Sequence, residues 1–344
     1  MSRLILFIIS VGLLLLVAAG CREVASDRLY ALRLPQPPTA ADWERALPRV
    51  VTVKGGQVHK LNPLPDIDAD TVHTTTASCH HGAALPDPIA VDLRAFYTAS
   101  DLYLRLSWQD ATRDDAIRRW HFDGAAWQNS LALEDGFGLL WDAAGAFPRF
   151  TCSYACHIDD FGVSGASFHA ANRMKLARPE TTLDLWNWKA GRTARFGFAD
   201  DRTIDNTGMH GDVPGELFHE NSRARVEKTA GLAPFAEGDA PIYDDEGSAV
   251  GKAFRPAGSG APGYLTERPV GSRGDVAAVS DHRAGRWIVI LRRPLTTVDR
   301  RDARFVPGDR QGVAFGLAVM DDTLKEHYAS ITEERLVLLP PQGD

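Results

Sequence analysis

The residues most able to do chemistry lie in one short run, CSYACH, at residues 152–157. Two cysteines followed directly by a histidine are typical of a c-type haem site. There the thiols of Cys152 and Cys156 would form thioether bonds to the porphyrin, and His157 would ligate the iron. Three residues separate these cysteines instead of the usual two, and a looped-out residue accommodates the difference. A local disulfide between Cys152 and Cys156, or a metal site, are the alternatives.

Two further side chains are candidate iron ligands. Met174 lies in a polar stretch where core packing does not explain it, and a thioether is a good axial ligand that raises the potential of haem iron. His327 lies just before the last predicted strand and offers an imidazole. Cys79, His80 and His81 form a weaker cluster. It would bind a metal, supply a distal ligand or simply form a polar loop.

Trp186 and Trp188 are two residues apart in the stretch DLWNWKA, so they would project from the same face of a strand. In that arrangement their rings would form one wall of a flat cofactor pocket, exclude water and help to set the potential. Burial in an ordinary hydrophobic core explains the pair equally well.

Strands must position these residues, because apolar side chains alternate with a period of two along the chain. In residues 101–110, Leu102, Leu104, Leu106 and Trp108 share one face. Short strands between Gly, Pro and Asp loops favour an all-β class, specifically a β-sandwich enclosing a haem, with few short helices. Further apolar runs occupy residues 137–141, 287–291, 312–320 and 335–339.

The N-terminus is typical of an export signal, since Arg3 is followed by an apolar run over residues 4–19 and then by small residues. The run ends Leu-Val-Ala-Ala-Gly-Cys, which resembles the lipobox of bacterial lipoproteins. We therefore expect residues 1–20 to be a signal peptide and Cys21 to carry lipid. A plain secretory signal or an uncleaved anchor is the alternative. The expected location is the periplasmic side of a bacterial membrane, lipid-anchored, or soluble in the periplasm or secreted.

The remainder reads as one domain. Residues 21–49 hold four prolines among polar residues and are predicted to be a tether, with a short helix near residues 40–46. Residues 50–340 are predicted to form the sandwich. Gly, Pro, Asp and Ala dominate residues 200–285, which we expect to be a long irregular insertion.

Composition excludes some classes of protein. The chain has 344 residues, with 38 basic against 45 acidic side chains and a net charge of −7. That balance gives no electrostatic reason to expect nucleic acid as a partner. Four cysteines in a chain of this length are too few for a disulfide-built scaffold.

Several motifs together resemble one known family. YLRLSWQD, LEDGFGLLWD, the Cys and His run, Met174, DLWNWKAGR, GFADD, GRWIVILRRPL and AFGLAVMDD follow in that order. This arrangement resembles the haem-binding domain of the gamma subunit of ethylbenzene dehydrogenase and of related molybdenum enzymes of the dimethyl sulfoxide reductase type. The resemblance covers roughly residues 50–340.

The resemblance implies a β-sandwich around one haem b that has a methionine and a lysine as axial ligands. Met174 is similar in placement to the family methionine. This sequence has His327 in about the place of the family lysine, and Lys325 is a second option. Which of His157 and His327 faces Met174 across the iron stays open. We favour c-type over b-type haem, because His157 directly follows Cys156.

We therefore predict an exported haem-binding electron-transfer protein without catalytic turnover of its own, as a subunit or partner of a periplasmic oxidoreductase. Its partners would be a periplasmic redox protein, a quinone or a cytochrome carrier, together with the membrane through the lipid anchor. The alternative is an exported β-sandwich that binds carbohydrate or metal, with a disulfide between Cys152 and Cys156.

Overall fold

The computed structural model describes residues 27–54, 88–152, 155, 176, 178, 180–205, 207–222, 226–227, 231–232, 234–236, 238–250, 256–322, 327–330 and 332–341. The residues singled out above that lie outside these ranges are Cys21, Cys79, His80, His81, Cys156, His157, Met174 and Lys325.

Strands dominate the described residues, which confirms the predicted all-β class with few short helices. No helix among the residues described is long and apolar enough to span a membrane. Two 3₁₀ turns cover Ala194–Phe196 and Gly271–Gly274. The helix and strands are α1 Ala40–Arg45, β1 Arg28–Arg33, β2 Arg49–Lys54, β3 Ile89–Tyr97, β4 Asp101–Gln109, β5 Trp120–Phe122, β6 Trp127–Asn129, β7 Gly136–Trp141, β8 Leu183–Lys189, β9 Asp200–Asp205, β10 Gly208–Gly211, β11 Phe218–Glu220, β12 Val226–Glu227, β13 Gly231–Leu232, β14 Gly260–Ala261, β15 Tyr264–Thr266, β16 Ala277–His282, β17 Arg286–Pro294, β18 Val313–Met320, β19 Tyr328–Ser330 and β20 Glu334–Leu338.

One sheet folds back on itself to form the sandwich. Its strands follow the order β10-β9-β8-β7-β18-β19-β2-β3-β4-β17-β16, and β1 and β20 join it from the side. Strands that are distant in this order meet face to face. The rings of Trp108 in β4 and Trp188 in β8 have centroids 6.2 Å apart, and Trp287 in β17 lies 5.2 Å from Trp188. The layer β7–β9 with β18 therefore packs on the layer β3, β4 and β17 over an aromatic inner core.

The predicted tether is folded where the structure describes it. Arg28–Arg33 is strand β1, which pairs in parallel with both β20 and β3 and buries Leu29 and Ala31. Its apolar alternation is too short to stand out against the prolines that follow it. The helix α1 lies where it was expected, and a capping box between Thr39 and Asp42 fixes its start.

The irregular insertion is shorter than the predicted 200–285. At its start, β9 and β10 extend the main sheet beyond β8, and at its end β16 pairs with β17. Between β10 and β16 the strands in the described residues are short and pair β11 with β15, β12 with β13, and β14 with β5. The 3₁₀ turn at Gly271–Gly274 also lies here. Strand residues such as Asp200 and Asp201 were missed because strand propensity scales disfavour aspartate.

A buried arginine links the two layers. Arg293 in β17 is fully buried, and its Nη1 donates a hydrogen bond to the Ala303 carbonyl at 2.8 Å. Its Nη2 lies 2.7 Å from Asp302 Oδ2 and 3.5 Å from Asp184 Oδ2 of β8. Its Nε lies 3.5 Å from Asp201 Oδ2 of β9. The guanidinium of Arg293 therefore contacts two carboxyl groups of the opposite layer, those of Asp184 and Asp201.

Burial sets the protonation of this cluster. It raises the pKa of Asp184 to about 6 and raises the pKa of Asp201 well above its usual value. Asp184 and Asp201 therefore hold their protons to a higher pH than exposed aspartates do, although Arg293 lies beside both.

Replacing Arg293 by methionine leaves Asp184, Asp201 and Asp302 buried without a cation. We expect the free energy of unfolding to fall by about 3–5 kcal/mol, as measured by urea denaturation. The matched control is Arg292→Met on the same strand, which is exposed and should change stability by no more than about 0.5 kcal/mol. Equal losses in the two variants would show that Arg293 does not hold the layers together.

Candidate functional site

A second apolar cluster covers the other side of the layer β7–β9 with β18, and we call it the outer cluster. Alternation along each strand separates the two faces. In β18, Phe315 and Leu317 point into the inner core, whereas Ala314 and Ala318 belong to the outer cluster. The outer cluster consists of Leu140, Phe147, Phe150, Cys152, Ala155, Leu176, Leu183, Leu185, Ile204, Ala314, Ala318 and Ala329.

The sheet face beneath the outer cluster is lined by small residues. Gly138 of β7, Ala318 of β18 and Ala329 of β19 are direct register partners and form one row across three strands. Gly316 and Ala314 continue this surface along β18. Small side chains let another group approach the backbone of a sheet closely, so this face can hold a flat ligand or a closely packed segment.

Cys152 lies directly on this surface. A Cβ added at Gly316 would lie 2.7 Å from the backbone nitrogen of Cys152 and 3.0 Å from its Cα. Cys152 itself is 5% exposed. Glycine at position 316 is therefore what allows the start of the predicted haem-binding run to pack against β18.

The neighbours of the other predicted ligands converge on the same cluster. Ala155 directly precedes Cys156, and Leu176 follows Met174 by two residues. Both described neighbours belong to the outer cluster, whereas Cys156, His157 and Met174 themselves lie outside the described residues. His327 is half-buried and directly precedes β19, two residues before Ala329, another member.

The two tryptophans do not share a surface with Cys152. Trp186 and Trp188 are fully buried in the inner core, on the opposite face of β8. Trp188 stacks on Phe137 with 5.6 Å between ring centroids, and Trp186 lies 4.9 Å from Trp141. Of the two interpretations of this pair, a pocket wall or burial in the hydrophobic core, the structure shows burial in the core. Because both indoles are fully buried, neither ring offers an exposed face on which a carbohydrate could stack.

Lys189 is a polar residue of the outer face that the sequence analysis did not select. It ends β8 on the same face as Leu185, opposite Gly136 of β7. Its Nζ is buried, has no hydrogen-bond partner among the described residues and lies 5.1 Å from the centre of the Phe218 ring. Burial lowers the pKa of Lys189 to about 7. At neutral pH the Lys189 side chain is therefore an uncharged amine in a fraction of the molecules.

A separate cavity of 460 Å³ lies at the junction of the short strands with β16 and β17. Its lining is strongly charged, and neither Cys152 nor His327 contributes to it. It is therefore distinct from the outer cluster. The lining residues include Arg113, Asp115, Arg119, Arg195, Tyr264, Asp281, His282 and Trp287.

The family model described as ethylbenzene dehydrogenase matches residues 41–329. The chain belongs to the ethylbenzene dehydrogenase family. The match confirms the resemblance, and it begins earlier and ends earlier than the expected 50–340. Membership relates the chain to a subunit of an oxidoreductase complex. A comparison with curated proteins finds no match for the sequence.

The sequence of this member of the ethylbenzene dehydrogenase family held signals for two of the residues that were missed. Arg293 continues the alternation of Trp287, Val289 and Leu291, so the period of two already places it on the inner face. Lys189 lies four residues after Leu185 in β8, and a period of two therefore places both side chains on the outer face. Gly316 had no usable signal, because its contact with Cys152 joins distant parts of the chain.

Replacing Gly316 by alanine should displace Cys152, because the new Cβ would meet backbone atoms that cannot move aside. We expect a loss of about 1–3 kcal/mol in the free energy of unfolding, measured by urea denaturation. Gly138→Ala is the matched control, since its Cβ would meet only the flexible end of Leu185 at 3.3 Å. If both variants lose the same stability, the contact with Cys152 is not the constraint.

Replacing Lys189 by methionine should change how stability depends on pH. In the folded protein the pKa of Lys189 is lowered to about 7, whereas an unfolded lysine titrates near about 10.4. Between these values the unfolded chain binds more protons, so Lys189 makes stability rise with pH by up to about 1.4 kcal/mol per pH unit.

Lys189→Met should therefore flatten this rise when urea denaturation is followed from about pH 7 to pH 10. The control is Lys54→Met, because Lys54 is exposed at the end of β2. An unchanged slope in Lys189→Met would contradict a lowered pKa.

Proposed function

We propose that this member of the ethylbenzene dehydrogenase family is an exported haem-binding electron-transfer protein. It would serve as a subunit or partner of a periplasmic oxidoreductase, without catalytic turnover of its own. One observation supports the proposal: Ala155, Leu176 and Ala329, which lie within two residues of Cys156, Met174 and His327, belong to the outer cluster together with Cys152. Described parts of three chain segments that carry residues suited to haem thus reach one apolar surface.

The described residues fit a haem in shape and polarity. The porphyrin is flat and apolar over most of its area, and the row of Gly138, Ala318 and Ala329 offers a flat surface without large side chains. The aliphatic and aromatic members of the outer cluster would keep water from the iron, which is one way in which proteins set a haem potential.

The ligand assignment follows the sequence. Met174 would supply a thioether on one side of the iron, and His157 or His327 an imidazole on the other. Cys152 and Cys156 would hold the porphyrin edge covalently, which is the c-type arrangement we favour over b-type. The haem would supply one-electron transfer, while this chain binds it, orients it and excludes water. Trp186 and Trp188 would contribute from behind β8, as part of the dry inner core.

The proposed location follows from the N-terminus. Residues 1–20 would direct export, and lipid on Cys21 would hold the protein at the periplasmic side of a bacterial membrane. Electrons would pass to or from a periplasmic redox protein, a quinone or a cytochrome carrier. The family supports a redox partner, since it relates the chain to a subunit of an oxidoreductase complex.

The exported protein, produced with haem supply and maturation factors, should show a Soret band and a pyridine haemochrome spectrum. Retention of the haem by the polypeptide in acid-acetone identifies c-type attachment, and its extraction identifies b-type. A colourless protein under these conditions would overturn the proposed function.

Single substitutions then identify the ligands. Met174→Ala should replace the low-spin spectrum by a high-spin one, and so should either His157→Ala or His327→Ala, whichever removes the second ligand. His219→Ala is the control, because His219 is exposed on β11 beside Glu267. Low-spin spectra in all three ligand variants would refute the assignment while leaving haem binding intact.

A further inference from the structure

Three carboxyl groups meet at one end of the sandwich. Asp110 follows β4, Asp135 precedes β7, and Asp321 follows β18. One oxygen of each lies within 4.8 Å of the others. The fold therefore brings together the ends of three strands that are remote in sequence, and an aspartate lies next to each of these ends.

The hydrogen bonds of this group are incomplete. Asp135 is fully buried, and both of its oxygens accept hydrogen bonds: Oδ2 from the backbone nitrogen of Asp114 at 2.9 Å and from Trp287 Nε1 at 2.8 Å, and Oδ1 from the backbone nitrogen of Asp322 at 3.1 Å. Asp110 is only 9% exposed, and its Oδ1 accepts a hydrogen bond from the backbone nitrogen of Thr112 at 3.1 Å. Its Oδ2 is buried and has no hydrogen-bond partner among the described residues. A buried carboxylate oxygen without a partner costs free energy. We therefore expect Asp110 Oδ2 to contact a hydrogen-bond donor or a cation in the native protein.

Within the described part of the chain, Asp110, Asp135 and Asp321 form no ion pair. The charged neighbours that act on Asp135 and Asp321 are other acids. Asp114 and Asp322 lie close by and add further negative charge, which contributes with burial to raising the pKa of Asp321. The contrast is with the cluster of Asp184, Asp201 and Asp302, where the fold supplies Arg293.

The donor set selects the ligand chemistry. The three side chains all supply carboxylate oxygens, which are hard ligands suited to calcium or magnesium and not to soft metals. Asp321 is exposed, so one side of the group is open to solvent and to water ligands. Calcium accepts irregular oxygen geometry, whereas magnesium demands a near-ideal octahedron.

We propose that Asp110, Asp135 and Asp321 form a binding site for a hard divalent cation, with calcium preferred. The cation would satisfy Asp110 Oδ2 and join the ends of β4, β7 and β18. Because β18 leads on to the connection that carries His327, binding would also stabilise that side of the sandwich. The proposal does not depend on haem and stands or falls separately from the proposed function.

Terbium luminescence tests the site directly, because Trp287 contacts Asp135 and would sensitise a lanthanide bound there. The full-length exported protein, freed of metal with a chelator, is titrated with terbium under tryptophan excitation. Calcium is then added. We expect luminescence that calcium displaces, and displacement by magnesium only at several-fold higher concentration. Absence of terbium luminescence would overturn the proposal.

Calcium should also stabilise the native state. At about 100 times its Kd, it should raise the Tm by about 4 °C, and titration to about 10 mM covers the weak range of extracellular calcium sites. Asp321→Asn removes an exposed ligand without disturbing the core and should weaken calcium binding at least tenfold.

The matched control is Asp281→Asn, because Asp281 is an exposed carboxylate of β16 that pairs with Arg283. It should bind calcium as the natural protein does. Asp110→Asn provides a second variant at the buried ligand. Equal calcium affinities in the Asp321→Asn, Asp110→Asn and Asp281→Asn variants, or an unchanged Tm of the natural protein in calcium, would overturn the site.

Discussion

The sandwich depends on one constraint, the burial of a guanidinium among three carboxyl groups. Arg293 comes from one layer, and Asp184 and Asp201 come from adjacent strands of the other. A buried charge without its partners is expensive, so the layers can pack only in the register that brings these groups together. The guanidinium also lies 5.1 Å from the ring of Trp186, which couples the ionic cluster to the aromatic core.

The outer surface follows from this arrangement. Once the inner face of β8 is fixed by Trp186 and Asp184, the alternation of the strand places Leu185 and Lys189 on the outside. The inner faces of β7 and β18 take large rings, such as Phe137 and Phe315, while their outer faces carry Gly138, Gly316 and Ala318. The bulky side chains thus fill the core, and the small ones leave a flat exterior against which Cys152 packs.

The sandwich has two groups of clustered aspartates, which differ in whether a described side chain supplies a positive charge. Around Arg293, the positive charge is part of the chain and the cluster is closed to solvent. At Asp110, Asp135 and Asp321 the described residues provide carboxylates without a cationic partner, and Asp321 is exposed. The first arrangement holds the layers together permanently, whereas the second lets an external ion adjust how tightly three strand ends are joined.

The sequence alone determined the all-β class, the main strands and the family, because alternation over residues such as Leu102, Leu104 and Leu106 is a local property. Residue type and spacing also made Cys152 and His327 candidate haem-site residues, which stays a prediction. The sequence could not decide whether a given face of a strand lies in the core or lines a binding surface. Trp186 and Trp188 have the spacing of a pocket wall and of a core alike, and only the packing of β8 against β4 and β17 placed them inside. Strand β1, the contact of Gly316 with Cys152 and the meeting of Asp110 with Asp321 depend on partners distant in the chain, whose proximity is set by tertiary packing.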